Sequence, residues 1–510
     1  MSMMTPMGGG GSRLDREVLA PNAVARWAVD SPEQPFLEHV DGRSLSYGEV
    51  DVRMDEWVGA LRATGLEQGA HVGIFVDDPI DGALAWLGIA RAGMVSVPIN
   101  TAHVGRMLEQ ALQTAAVETV VASPALAERL AEVAPSMTVL GSDARGEARG
   151  DRHVAEPHET AMLLFTSGST GPSKAVVVPW AAAAGYWGWT PEGAVARGEG
   201  LFVPMPMFHN AGLGALQQVA RFGGRLFHQG RFSATTFWDD VRRSGARTAA
   251  LVGPMTAVLW AQPERDDDAD NPLRHMILGP MIPEMEAFER RFGVTVATCY
   301  GMTEVPAVLT TGWDHGPPAT CGRPIEGWPG AEVRIVDEHD HEVPVGEVGE
   351  LIVRTSTPWT LNAGYFGDPE QTAASWRNGW FHTGDAFRRD DDGWHYFVDR
   401  MTDTIRRRGE NISSFEVEAF VLDFDGVAAC AAYGVPDGFG GQEVMVAVEG
   451  DVDAGALGAF LAERMPKYMA PRYIDVVDAL PRNATTLRLQ KFVLRDRGVT
   501  PTTWDREGAR

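Results

Sequence analysis

The 510-residue chain has only three cysteines, Cys299, Cys321 and Cys430, and none shows Cys-x-x-Cys spacing. A disulfide framework and a zinc site are therefore not expected, and a reducing cytoplasm fits this cysteine usage. No apolar run reaches the roughly 18–20 residues that a membrane helix needs, so no membrane span is expected. The first residues lack the basic and apolar regions of a secretory signal and are predicted to be a flexible leader, residues 1–15.

Positive charge is also scarce. The chain has 44 Lys and Arg against 69 Asp and Glu, for a net charge of −25. Such a surface repels nucleic acid and anionic lipid, so an anionic substrate must be held by a local positive site. Lysine occurs only at Lys174, Lys467 and Lys491. Codon bias is the plain explanation of this shortage, but each remaining lysine becomes a candidate for a specific role.

Apolar strand-like runs alternate with helical stretches through the first 300 residues, which predicts layered α/β subdomains with parallel sheets. Residues 331–354 instead alternate strands with turn residues and predict a β-rich subdomain. A compact α+β tail follows residues 399–411. The predicted organisation is therefore a large N-terminal domain, residues 16–401, and a small C-terminal domain, residues 402–510.

The segment 162–178 reads MLLFTSGSTGPSKAVVV, in which two apolar runs flank a loop of Thr, Ser and Gly. Glycines let backbone N–H groups turn toward a phosphate, hydroxyls add donors, and a lysine adds charge. Ser173 and Ala175 rule out a Walker loop, which requires Gly before the lysine and Ser or Thr after it. Taken alone, the loop could be a plain linker. The predicted phosphate-binding residues are Thr166, Ser167, Gly168, Ser169, Thr170, Gly171 and Lys174.

This loop resembles the phosphate-binding signature of the adenylate-forming superfamily, which includes acyl-CoA synthetases, peptide-synthetase adenylation domains and luciferases. The resemblance extends over about residues 35–495. It implies an AMP-binding N-terminal domain, a hinge near Thr402 and a small mobile C-terminal lid. Further motifs that resemble the family, in its order, are ARAG and VPIN (90–100), PMPMFHNAG (204–212), TCYGMTE (298–304), GELIVR (349–354), GWFHTGD (379–385) and DRMTDTIRRRGENIS (399–413).

The TCYGMTE motif implies the adenine and magnesium site. Tyr300, followed by Gly301, would offer an aromatic face to adenine. Thr303 can donate to the α-phosphate, and Glu304 is an oxygen ligand suited to Mg²⁺. The other side of the adenine slot would be lined by Gly279 and Pro280.

The later motifs imply ribose contacts, and the PMPMFHNAG segment implies the acyl pocket. Asp385 can accept bonds from both ribose hydroxyls, and Arg400 can reach ribose or phosphate. In isolation, Asp385 would be read as a turn or N-cap carboxylate, and His209 as an ordinary core residue. The predicted acyl-pocket residues are His209, Asn210, Gly212 and Met281.

The C-terminal domain departs from the family pattern at its catalytic lysine. The family places a lysine in a Pro-x-Thr-x-Thr-Gly-Lys-x-x-Lys stretch, where this chain reads PRNATTLRLQK (481–491). Aligned through Gln490 and Lys491, the catalytic position holds Arg488 and the glycine is replaced by Leu487. Arginine keeps the charge, but its planar fork is bulkier than an ammonium. Lys491 is a poor substitute by register, although it stays a candidate cofactor contact.

Two further departures lie beside the hinge. Thr402 stands where the family commonly has Asp or Lys, and Arg408–Gly409 stands where it has Gly-Gly. The family uses this glycine to let pantetheine approach, so Gly409 is assigned to thioester formation. The basic run Arg406, Arg407 and Arg408 is either a solvated strand edge or a contact for the phosphates of CoA.

These features predict an acyl-CoA synthetase-family enzyme that uses a carboxylic acid, ATP or acyl-AMP, Mg²⁺ and CoA. Because Arg488 replaces the lysine, the thioester half-reaction is better supported than adenylation, and a separate enzyme could supply the adenylate. Three alternatives stay open: an ordinary two-step ligase, a free-standing enzyme that loads a carrier protein, and a non-catalytic protein that binds acyl-AMP or CoA.

Overall fold

The computed structural model describes residues 4–6, 12–147, 152–166, 174–190, 193–279, 281–282, 284–314, 316–326, 330–401, 403, 405–407, 410–437, 442–482 and 489–508. None of the helices formed by these residues is long and apolar enough to cross a membrane.

The predicted leader contains structure. Strands β1 (Met4–Pro6) and β2 (Ser12–Leu14) pair antiparallel, and Leu14 is buried in the main core. A short 3-10 helix, Arg16–Val18, follows and leads into α1. The described structure thus includes part of residues 1–15, and the boundary between leader and domain stays a prediction.

The first central sheet has six strands: β5 (His71–Phe75), β6 (Val95–Pro98), β7 (Thr119–Ala122), β8 (Thr138–Gly141), β9 (Thr160–Thr166) and β10 (Lys174–Pro179). Their order is β10–β9–β6–β5–β7–β8. All neighbours are parallel except β9 and β10, which are antiparallel. The strands β5, β6, β7 and β9 are continuous apolar runs because helices cover both faces of a parallel sheet.

The second central sheet has seven strands: β3 (Pro35–His39), β4 (Ser44–Ser46), β11 (Gly200–Val203), β12 (Arg225–His228), β13 (Thr248–Val252), β14 (His275–Gly279) and β15 (Thr295–Ala297). Their order is β15–β14–β13–β11–β12–β3–β4, and only β3 and β4 are antiparallel. The main core packs these strands against the helices of the N-terminal domain.

The helices of the N-terminal domain connect these strands. They are α1 (Ala20–Asp30), α2 (Tyr47–Ala63), α3 (Pro79–Arg91), α4 (Gly105–Thr114), α5 (Pro124–Val133), α6 (Trp180–Gly185), α7 (Asn210–Phe222), α8 (Phe237–Ser244), α9 (Gly253–Trp260), α10 (Met285–Phe292) and α11 (Pro369–Ser375). Local signals set their starts: Ser46 and Glu49 form a capping box on α2, and Asp78 caps α3 ahead of Pro79.

The β-rich subdomain begins near residue 299, ahead of residues 331–354, whose pattern predicts it. A small sheet is formed by β16 (Cys299–Tyr300), β17 (Leu309–Thr310) and β18 (Arg323–Pro324). A larger antiparallel sheet contains β19 (Ala331–Val336), β20 (Gly349–Thr355), β21 (Trp376–Arg377), β22 (Trp380–Arg389) and β23 (His395–Arg400). Its order is β19–β20–β22–β21, and β23 also pairs with β22.

The C-terminal domain has its own core. Its strands are β24 (Ile405–Arg407), β25 (Glu410–Ile412), β26 (Val427–Pro436), β27 (Gln442–Gly450), β28 (Tyr473–Val477) and β29 (Trp504–Asp505). Its helices are α12 (Ser414–Leu422), α13 (Ala454–Arg464) and α14 (Lys491–Arg497). The order β26–β27–β28–β29 forms a mixed sheet, and apolar side chains on both of its faces are buried. The predicted α+β architecture of this domain is confirmed.

The buried imidazole of His228, at the end of β12, makes stability depend on pH. His228 Nε2 donates to the Met205 carbonyl at 2.7 Å, and Nδ1 accepts from the Gly230 N–H at 2.8 Å. The second contact requires the neutral ring, because a protonated Nδ1 cannot accept, and burial lowers the pKa of His228 to about 4.

We expect the protein to lose stability as the pH falls from about 7 to about 5. The unfolded chain takes up a proton near pH 6.5, whereas folded His228 takes one up only near pH 4. The stabilisation is therefore present above about pH 6.5 and is lost toward pH 4. The variant His228→Gln should show a shallower pH dependence of the thermal midpoint, while His341→Gln, at an exposed imidazole, should not. An unchanged pH dependence in His228→Gln would exclude this histidine as the cause.

Candidate active site

The phosphate loop predicted at 166–174 leaves the first central sheet at the carboxyl end of β9. Thr166, the last residue of β9, lies opposite Lys174, the first residue of β10. The ends of the loop are therefore side by side, at the sheet edge where α/β enzymes usually bind ligands. Its interior, which includes the predicted contacts Ser167, Gly168, Ser169, Thr170 and Gly171, lies outside the described residues.

The carboxyl end of β14 lies beside open space. Gly279 is the last residue of this strand, and a Cβ added there would meet no heavy atom within 4 Å. Such space is what a slot for a flat adenine ring requires. Met281 is partly buried against the main core, and Pro280 is not among the described residues.

Tyr300, Asp385 and Arg400 come together, as the motifs predict. The Tyr300 hydroxyl donates to Asp385 Oδ2 at 2.7 Å. Asp385 on β22 is directly opposite Arg400 on β23, and Arg400 Nε lies 3.8 Å from Asp385 Oδ1. Burial, helped by the Asp385 carboxylate, raises the pKa of Tyr300. The phenol therefore stays neutral and donates.

Two neighbouring side chains hold the strand segment that carries Asp385. Glu350 of the GELIVR motif accepts from the Gly384 N–H and from His382 Nδ1, each at 2.9 Å. The hydroxyl of Thr383 accepts from the Asp385 N–H at 3.1 Å. These bonds fix the backbone on either side of Gly384, which has φ +71°, and so fix the direction of the Asp385 side chain.

Glu304 is a buried carboxylate, with only 6% of its surface exposed. Burial raises the pKa of Glu304, while the Tyr365 hydroxyl and Arg400 act in the opposite direction. Its Oε1 accepts from the Tyr365 hydroxyl at 3.1 Å, and its backbone carbonyl accepts from Asn362 Nδ2 at 2.9 Å. Burial raises the pKa of Tyr365 too, so its hydroxyl keeps the proton that it donates.

The chemistry of Glu304 fits Mg²⁺. A carboxylate is a hard oxygen ligand, and proteins usually hold Mg²⁺ through one or two carboxylates together with substrate phosphates. Within the described residues there is no group of three or more His, Cys, Asp or Glu that could hold a metal ion alone. Glu304 would thus hold the ion together with the phosphates of the nucleotide.

The end of α6 connects the adenylate motif to the predicted acyl pocket. The Tyr186 hydroxyl donates to the Thr303 carbonyl at 2.5 Å. Trp187 packs so tightly on α7 that a Cβ added at Gly214 would lie 2.5 Å from Trp187 Cδ1. The backbone of Thr303 is therefore coupled to the helix that follows His209.

His209 is the N-cap of α7, and its Nδ1 accepts from the Ala211 N–H at 3.3 Å. Asn210 is the first residue of that helix. A Cβ at Gly212 would lie 2.5 Å from the Pro206 carbonyl oxygen, so glycine permits this tight entry. These contacts give the three residues a structural role, and their contact with an acyl group stays a prediction.

One residue of the basic run is not available to CoA. Arg407 is buried, pairs with Glu443 at 2.7 Å and donates to the Tyr468 carbonyl at 2.8 Å. Neither sequence interpretation, solvated edge or phosphate contact, holds for this residue, because its partners lie inside the C-terminal core. The side chain of Arg406 lies outside the described part, as do Arg408 and Gly409.

Lys491 is engaged inside the C-terminal domain. Its ammonium lies 2.8 Å from Glu418 Oε1 and 2.5 Å from Ser414 Oγ, and both partners belong to α12. The structure thus gives Lys491 a structural role in joining α14 to α12, and contact with a cofactor stays a prediction. Thr402 and Arg488, the hinge and lid positions, are outside the described residues.

Sequence reasoning missed three residues that organise this site: Tyr186, Asn362 and Tyr365. A signal existed for two of them, since Asn362 and Tyr365 belong to the turn-rich stretch NAGYFGDPE (362–370) that follows the β-rich run. Tyr186 had no local signal, because it lies in an apolar helix that reads as ordinary core.

Comparison with known proteins agrees with this geometry. The sequence matches the AMP-binding enzyme family over residues 24–366 and the C-terminal domain of AMP-binding enzymes over residues 416–486. The chain belongs to the AMP-binding enzyme family. It is thus a member of the adenylate-forming superfamily and an enzyme of the acyl-CoA ligase type.

Relatives of this AMP-binding enzyme cover nearly its whole length. Crotonobetaine/carnitine–CoA ligase of Citrobacter koseri is 28% identical over 484 residues, covering 88% of this chain and 93% of the relative. The ATP-bound structure of MatB from Rhodopseudomonas palustris has a TM-score of 0.82 at 27% identity, covering 94% and 99% of the two chains. O-succinylbenzoate CoA synthetase from Bacillus subtilis, with ATP and magnesium, has a TM-score of 0.82, 23% identity and coverage of 92% and 98%. At that identity it supports the fold alone.

We expect Asp385→Asn to weaken AMP binding by about 1–3 kcal/mol, the scale of a charged hydrogen-bond acceptor that is lost. Asparagine keeps the shape and an oxygen for the Tyr300 hydroxyl, but it loses the charge that would serve the ribose and Arg400. Isothermal calorimetry of AMP measures the effect, and Asp392→Asn in the exposed β22–β23 turn is the matched control. Equal AMP affinity in Asp385→Asn and the parent protein would remove Asp385 from the nucleotide site.

Proposed function

We propose that this protein makes an acyl-CoA thioester from a carboxylic acid through an acyl-adenylate. The observation that carries the proposal is the convergence of Tyr300, Asp385 and Arg400 beside the buried Glu304 carboxylate. That arrangement offers acceptors for a ribose, a cation for a phosphate and an oxygen ligand for Mg²⁺ in one place. The curated relatives, which are CoA ligases, support the same reaction class.

In the first half-reaction, the acid carboxylate attacks the α-phosphorus of ATP and pyrophosphate leaves. Tyr300 and the residues Gly279 and Pro280 would flank adenine, while Asp385 would orient the ribose. Thr303 and Lys174 would donate to the phosphates. Magnesium bound with Glu304 would supply positive charge where two anions must meet. The phosphate loop would add backbone N–H donors around the same group.

In the second half-reaction, the thiol of CoA attacks the acyl carbonyl and AMP leaves. Gly409 would allow the pantetheine arm to approach the backbone closely, because any side chain there would occupy that space. Arg406 and Arg408 would contact the phosphates of CoA. The thiol could instead belong to a carrier protein, and loading assays distinguish these two acceptors.

The division between the half-reactions depends on which cation reaches the α-phosphate during adenylation. To reach the α-phosphate, Lys491 would have to leave Glu418. Burial raises the pKa of the Glu418 carboxyl, and the neighbouring lysine acts in the opposite direction. Breaking a buried ion pair leaves one charge buried without its partner, which costs several kcal/mol. Lys491 at the start of α14 and Glu418 on α12 belong to the same domain, so rotation of that domain leaves the pair intact. We therefore assign the lid cation to Arg488.

The acid is proposed from the relatives alone. Crotonobetaine and carnitine are the first acids to test, because the names of the curated relatives specify them. The candidate pocket is apolar and aromatic near α6 and α7, with buried Trp187 and Met205.

We expect faster turnover from supplied acyl-AMP and CoA than from the free acid with ATP and CoA. The acyl-adenylate is already activated, so its reaction with a thiol needs no cation between two anions, whereas adenylation relies on the bulkier Arg488 fork. Losing one well-placed charge can cost about 10²–10³ in rate. The assay compares both reactions for the same acid and repeats them with Arg488→Lys, which should speed only the ATP-dependent one. Equal rates in the unmodified protein would show an ordinary two-step ligase.

Gly409→Leu should abolish most thioester formation while leaving AMP binding within about twofold of the parent. The added side chain would block the thiol without touching the nucleotide contacts on β16, β22 and β23. Turnover of acyl-AMP with CoA measures the first effect, and calorimetry measures the second. Leu422→Ala, at an exposed side chain of α12, serves as the control. Parent-level turnover in Gly409→Leu would refute this route for pantetheine.

A further inference from the structure

The segment from Asn362 to Phe366 connects two parts of the candidate site that are far apart in sequence. It runs antiparallel beside β10: the Ala363 N–H donates to the Val177 carbonyl at 2.9 Å, and the Val177 N–H donates to the Gly364 carbonyl at 2.9 Å. The Phe366 N–H donates to the Ala175 carbonyl at 2.8 Å. The first central sheet is thereby extended by one strand-like segment at the strand that begins with Lys174.

The same segment holds Glu304 by its backbone. The Asn362 backbone N–H and side-chain amide both donate to the Glu304 carbonyl, at 3.2 and 2.9 Å. The Asn362 side-chain oxygen in turn accepts from the Gly364 N–H and from Trp376 Nε1. The amide orientation of Asn362 is therefore fixed, and with it the position of the Glu304 main chain.

Tyr365 lies opposite Val176. Its side chain contacts two charged groups, those of Glu304 and Lys174. Its hydroxyl donates to Glu304 Oε1 at 3.1 Å. Its ring centroid lies 5.4 Å from the Lys174 ammonium, within the range of a cation–π contact. One side chain thus touches the predicted metal-binding carboxylate with its polar end and the phosphate-loop lysine with its ring.

Tyr365 is itself well anchored. Its N–H donates to Thr372 Oγ1 at 2.9 Å, and that hydroxyl donates to the Asp368 carbonyl at 2.8 Å. Asp368 caps α11, so the tyrosine backbone is tied to the start of a helix. A side chain fixed in this way can set the direction of its neighbours instead of following them.

We propose that Tyr365 is a positioning residue, which orients the Glu304 carboxylate toward magnesium and seats the Lys174 ammonium toward the nucleotide phosphates. Fixing one carboxylate oxygen by a hydrogen bond determines where the other oxygen points. Supporting the ammonium on a ring face keeps it near the loop without neutralising it by a carboxylate. This inference rests on the proposed use of ATP and magnesium.

Two variants separate the two contacts. Tyr365→Phe keeps the ring under Lys174 and removes the hydroxyl, with its bond to Glu304 and its contact with Ser375. Tyr365→Leu removes both contacts. Tyr396→Phe is the matched control, because the Tyr396 hydroxyl donates to Asp390 Oδ2 at 2.7 Å at the turn end of the β22–β23 hairpin. Thermal denaturation of all three shows whether each variant is folded.

Calorimetry with AMP in the absence of magnesium, and with ATP over a magnesium series, tests the proposal. For Tyr365→Phe we expect AMP affinity within about twofold of the parent, and a magnesium requirement for ATP binding raised about three- to tenfold. For Tyr365→Leu we expect, in addition, weaker ATP binding at saturating magnesium. Tyr396→Phe should match the parent in both titrations.

The outcomes distinguish failure of this inference from failure of the proposed function. A parent protein that binds neither AMP nor magnesium–ATP overturns the proposed function, and this inference with it. A parent that binds both, with Tyr365→Phe unchanged in its magnesium requirement, overturns the positioning role alone. Equal loss of AMP and magnesium–ATP binding in Tyr365→Phe would also overturn it, since that pattern indicates a general structural role.

Discussion

Two buried carboxylates, Glu304 and Asp385, lie close enough for the charge of Asp385 to raise the pKa of Glu304, in a chain whose net charge is already −25. Holding such a pair away from water is unfavourable unless donors and cations surround it. The Tyr300 hydroxyl donates to Asp385, and Arg400 lies beside the same carboxylate. The Tyr365 hydroxyl donates to Glu304. Much of the architecture of the β-rich subdomain supplies these partners.

The groups that surround these two carboxylates lie on elements of separate sheets. The β22–β23 pairing places Arg400 directly opposite Asp385. Tyr300 lies on the short strand β16, which belongs to the three-stranded sheet and follows the last strand of the second central sheet. The first central sheet contributes Lys174 at the start of β10. The site therefore lies where three sheets meet, and each of them contributes part of the set of charged and hydrogen-bonding groups.

The sequence predicted the parts of this arrangement that depend on local patterns. Apolar runs identified the parallel strands, and the motifs identified Tyr300, Glu304, Asp385 and Arg400 as one site. The alternation of strand-like runs with turn residues after residue 330 predicted the antiparallel sheet that carries Asp385.

Long-range partners could not be predicted from the sequence alone. Arg407 looked like part of an exposed basic run because nothing nearby indicates that its carboxylate partner, Glu443, lies on another buried strand. Lys491 was judged by its register to a motif, whereas its contacts with Glu418 and Ser414 depend on how α14 packs on α12. The short strands before residue 15 were missed because their glycine-rich setting is typical of an unstructured leader.

The backbone pairing of residues 362–366 with β10 has a consequence for how the N-terminal domain opens. The amides of Val177, Ala363 and Phe366 share one ladder, so a local opening that frees one of them frees the others. Since Asn362 also holds the carbonyl of Glu304, the same opening loosens the β-rich subdomain. The first central sheet and that subdomain should therefore behave as one cooperative unit in native-state hydrogen exchange, protected or released together.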